Sequence, residues 1–64
     1  MSNDSSEYNR KIQNDIANYK ATIQGLEEEV RRYEARGDTA SVRSMNEEIR
    51  RTEQMIENLE AQLR

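Results

Sequence analysis

Two apolar series, each stepping alternately by three and four residues, run through this 64-residue chain and mirror each other about Gly37. The first is Ile12, Ile16, Tyr19, Ile23, Leu26, Val30 and Tyr33. The second is Val42, Met45, Ile49, Thr52, Ile56, Leu59 and Leu63, with Thr52 its only polar member. Such spacing marks helices that bury one narrow stripe, a heptad seam with Ile16, Ile23, Val30, Val42, Ile49, Ile56 and Leu63 at a and the remaining members at d. The step from Tyr33 at d to Val42 at a fits neither an unbroken heptad nor the three- or four-residue insertions that coiled coils tolerate. One continuous helix is therefore excluded.

The break falls on Arg36-Gly37-Asp38-Thr39. Gly37 is suited to the left-handed conformation that ends a helix, and Asp38 to capping the next one by accepting the backbone N–H near Ser41. Upstream, Asp4 and Glu7 have capping-box spacing with Asp in place of Ser or Thr. The expected layout over residues 1–64 is a disordered stretch 1–4, a first helix over about 5–36, a turn at 37–38 and a second helix over about 39–64. A loop this short joins antiparallel neighbours. Folded there, the series pair as Tyr33 with Val42, Val30 with Met45, Leu26 with Ile49, Ile23 with Thr52, Tyr19 with Ile56, Ile16 with Leu59 and Ile12 with Leu63, and the two residue numbers of every layer add to the same total. A mean hydropathy of −1.22 would also suit a disordered chain. A disordered chain, however, has no reason to keep one register through every layer. The fold expected is all-α, a two-helix antiparallel coiled-coil hairpin that dimerises into a four-helix bundle.

Tyr33, Gly37-Asp38 and Val42 resemble the turn between the two helices of a tetratricopeptide repeat, which commonly carries an aromatic, Gly-Asp, and then a small apolar residue four further on. The likeness is confined to the turn: these helices exceed that repeat's lengths and there is no second copy. It implies the turn and no activity. The two-helix plan is similar, as an analogy of architecture, to Rop-type hairpins that dimerise into four-helix bundles.

Composition narrows the chemistry. Cys 0 and His 0 remove disulfides, thiolate nucleophiles, imidazole bases and the usual zinc and haem ligands. A hairpin with a filled seam offers little concavity for a nucleophile beside a base. No enzyme activity, cofactor, metal or small-molecule substrate is expected. The carboxylate runs Glu27-Glu28-Glu29 and Glu47-Glu48 read as solvated faces, with Glu27/Arg31, Glu28/Arg32 and Glu47/Arg51 at the favourable i,i+4 spacing. Across the seam Lys20 is expected to face Glu53, and Glu29 to face Glu48 unless arginines neutralise that like-charge contact. No apolar run approaches a membrane span, and the N-terminus carries no signal-peptide pattern, so the expected setting is the cytoplasm. There the sequon Asn3-Asp4-Ser5 has no role. Arg36-Gly37-Asp38 is the integrin-recognition tripeptide, but Gly37 and Asp38 are already needed to stop one helix and start the next.

Two surfaces stand out. Arg31, Arg32, Arg36 and Arg43 are expected to gather at the turn, where arginine forks would suit phosphate or structured RNA, although a pI near 4.9 argues against a general nucleic-acid binder. The second surface lies on the first helix. Ala17, Ala21 and Gly25 recur every four residues, flanked by uncharged Asn14, Asn18 and Gln24, a ridge on which another backbone can approach closely and the face expected to dock the second hairpin, with Tyr8 at its edge. Tyr8 lies outside the seam on an overhang expected to lack a partner in the second helix, so that either it frays or a second molecule covers it. Tyr19 and Tyr33 read as seam residues with their hydroxyls at the edge, and Thr52 as a side chain bonded back to its own helix. Thirteen apolar seam residues leave a lone hairpin of this length with little net stability, and self-association is the expected remedy. The function expected is a non-enzymatic protein–protein interaction or self-assembly module, with a homodimer or another protein as partner. The alternative is a Rop-like small regulator that binds structured RNA through the arginines at the turn.

Overall fold

The computed structural model describes residues 3–63, with side chains from residue 6 onward. Two helices, α1 (Asn3–Arg36) and α2 (Thr39–Glu60), pack against each other as a hairpin with extents of 56 × 15 × 9 Å. Every member of both apolar series is buried or half-buried, while most of the residues between them are exposed. The heptad reading thus holds over the whole seam. Ile12, Ile16 and Ile56, at 6–8% exposure, form the buried cluster, with Tyr19, Ile23, Leu59 and Leu63 packed against it. These are members of the expected layers at the open end of the hairpin. Thr52 is as deeply buried and donates its hydroxyl to the Glu48 carbonyl at 2.9 Å, so that its polarity is satisfied within its own helix.

The turn combines two capping devices in two residues. Gly37 adopts φ +74°. Its N–H donates to the Glu34 carbonyl and that of Asp38 to the Tyr33 carbonyl, both at 3.0 Å, the paired bonds of a Schellman motif. Asp38 then caps α2: its carboxylate accepts from the Ser41 N–H at 3.1 Å and from the Ser41 hydroxyl at 2.8 Å. Arg36, in the last turn of α1, lies where a cation complements the carbonyl end of the helix dipole.

The ends differ from the sequence expectation. α1 spans Asn3–Arg36, so residues 3 and 4, expected to precede the first helix, belong to it. The expectation of a disordered stretch over residues 1–4 concerns, for residues 1 and 2, positions outside the described residues. α2 stops at Glu60, short of the expected C-terminal end. The chain then tightens: Gln62 N–H donates to Leu59 O at 2.9 Å and Leu63 N–H to Glu60 O at 3.2 Å. This tail keeps Leu63 half-buried against the Ile12 cluster.

Candidate interaction surfaces

The heptad phase sorts exposed side chains onto two flanks of the hairpin, because c and g positions share one side of the seam and e and b positions the other. On the c/g flank a groove at the open half is lined by Asp15 and Tyr19 of α1 with Met55, Asn58 and Leu59 of α2. A second hollow near the turn is lined by Glu29, Arg32, Tyr33 and Arg36. The e/b flank has a depression lined by Glu27, Val30, Arg31, Glu34, Asn46 and Ile49.

The arginines expected to gather at the turn are divided by this phase. Arg32 and Arg36 share the hollow on one flank, and Arg36 lies over the Tyr33 ring with its guanidinium carbon 5.6 Å from the ring centre. Arg31 lies in the depression on the opposite flank, and Arg43 lines a third concavity on α2 with Arg50, Asn46 and Glu47. Each of these places also holds a carboxylate. The tripeptide Arg36-Gly37-Asp38 is likewise engaged internally, since Asp38 is bound by Ser41. The two Ser41 hydrogen bonds, helped by the nearby Arg36 charge, hold the Asp38 carboxyl below its usual pKa.

Of the residues assigned to the partner face, Asn14, Ala17, Asn18, Ala21 and Gly25 are all exposed. A Cβ built on Gly25 would meet no atom within 4 Å. They share one arc of about 100° on the outward side of α1, since residues four apart turn by only about 40°. At about 100° per residue, Asn18 and Gly25 fall on the c/g flank, Ala17 on the e/b flank, and Asn14 and Ala21 on the back of α1. Tyr8 corrects an expectation: its hydroxyl donates to Gln62 Oε1 at 2.9 Å, so the tail after α2 supplies the partner that α2 itself lacks. Its side chain nevertheless remains 38% exposed. The residue that the sequence reading missed is Met55, 45% exposed. A signal was present, because Met55 is the large apolar residue of the second helix that the heptad series skips.

Among the described residues the ion pair formed is Arg51 with Glu48 at 3.3 Å, an i,i+3 contact, in place of the expected Glu47 pairing. It places a positive charge beside Glu48. The expected Glu27/Arg31, Glu28/Arg32 and Lys20/Glu53 pairs do not close to ion-pair distance. Both partners of the pair that does form are more than half exposed, so its contribution to stability is small. No three carboxylates among the described residues are grouped so as to hold a metal ion, and no described helix is long and apolar enough to cross a membrane.

No protein-family model, curated protein or solved structure matches the chain.

Proposed function

We propose that the chain is a non-enzymatic interaction module that works as a homodimer, two hairpins packing into a four-helix assembly in the cytoplasm. The observation that carries this reading is the surface left uncovered. The hairpin has 5061 Å² of accessible surface, against about 4,300 Å² expected for a compact monomer of 7.6 kDa. Its radius of gyration is 15.5 Å, where a compact chain of this length has about 11 Å. Among the described residues three buried apolar side chains are a small core for two helices of 34 and 22 residues, and a second copy is the simplest source of further burial.

Thermal unfolding over a hundredfold range of protein concentration tests the reading. A melting temperature that falls on dilution is expected, because association stabilises the folded state by mass action. A melting temperature independent of concentration overturns it. The RNA reading is weakened by the spread of Arg31, Arg32, Arg36 and Arg43 over three carboxylate-bearing concavities. Salt-dependent RNA retention on filters, abolished by Arg31→Glu combined with Arg36→Glu, would put that reading in place of this one.

A further inference from the structure

We propose that two hairpins dock antiparallel through the c/g flank, with the two-fold axis at Met55, so that each Met55 packs against the partner's Met55. This rests on the self-association proposed above and names its face. The register that pairs Tyr19 with Ile56 puts Met55 level with Lys20, and α1 runs from Asn3 to Arg36, so the bulky exposed apolar side chain of α2 lies at the midpoint of the hairpin. An antiparallel dimer with full overlap has its axis at that midpoint. In an isologous contact a residue on the axis meets its own copy, and residues equally spaced to either side of it meet each other.

The flank is complementary under that operation. Asn18 and Thr22 stand two residues to either side of Lys20, an uncharged pair next to the axis. Lys11 and Glu29 stand nine residues to either side, so that each Lys11 meets the partner's Glu29, and the dimer gains the contact twice. Within one copy, among the described residues, neither Lys11 nor Glu29 closes an ion pair. Both flanks carry charge, but if the opposite flank docked under the same operation Lys20 would meet its own copy, and among the described residues the exposed large apolar side chains, Tyr8 and Met55, both stand at g.

The test combines charge reversal with cross-linking on the full chain. Lys11→Glu and Glu29→Lys, both at exposed positions, are each expected to raise the dimer dissociation constant about tenfold in low salt by replacing two attractions with two repulsions, and the double variant to recover most of the loss. Met55→Cys is expected to oxidise to a covalent dimer, whereas Ala21→Cys on the back of α1 is not. Circular dichroism confirms that each variant keeps its helices. A dimer indifferent to both reversals, or one that Ala21→Cys traps and Met55→Cys does not, overturns this face while leaving self-association intact. A chain that is monomeric throughout overturns both.

Discussion

Gly37 and Asp38 divide the reversal of the chain between backbone freedom and a side-chain acceptor. No atom lies within 4 Å of where a Cβ on Gly37 would sit, so the constraint is purely its φ of +74°. Gly37→Ala is therefore expected to lower stability by about 1 kcal/mol in urea unfolding, and Gly37→Asn by less, because Asn tolerates the left-handed region. Asp38 adds a pH dependence. Its folded pKa lies below the usual 3.8, chiefly through the Ser41 hydroxyl and then the Ser41 N–H, so its contribution is fully present above about pH 4 and is lost as pH falls through the lowered folded value. Asp38→Asn keeps the capping acceptor without the titration. The urea midpoint of the variant, followed from pH 5 to pH 2, is expected to fall less steeply than that of the parent chain.

At the scale of the helices, what was legible in the sequence is what periodicity and turn chemistry report directly. The a and d residues, the stop at Gly37 and the cap at Asp38 are local or strictly periodic signals, and each one is found. The grouping of Arg31, Arg32, Arg36 and Arg43 was not legible from closeness along the chain, because successive residues turn about 100° around a helix and Arg31 and Arg32 leave on opposite flanks. The Tyr8–Gln62 hydrogen bond depends on the tightened tail after Glu60, for which no residue type gives a signal. The depth of burial along the seam was hidden as well: Ile16 and Ile56 are buried, while Leu26 and Ile49 at its middle are half-exposed. Ile16→Val is accordingly expected to cost about 0.5–1.5 kcal/mol and Ile49→Val less, compared by urea midpoints. The register has its own check. Cysteines replacing Lys20 and Glu53 should cross-link within one chain, and a pair replacing Lys20 and Glu60 should not.

For the whole molecule, the narrow seam leads to the functional reading. Apolar residues at a and d alone cover a stripe suited to one facing helix, and bundle helices generally add apolar residues at e or g. Here only Tyr8 and Met55 extend the g column with large apolar groups, and both remain exposed in the single hairpin. A second copy on that flank would convert a two-helix seam into a bundle core and reduce the surface in excess of a compact monomer. Sedimentation equilibrium of the unmodified chain at micromolar concentration tests this claim most directly. A molar mass of twice 7.6 kDa, falling toward 7.6 kDa only on dilution, is the predicted result, and 7.6 kDa at every concentration would contradict it.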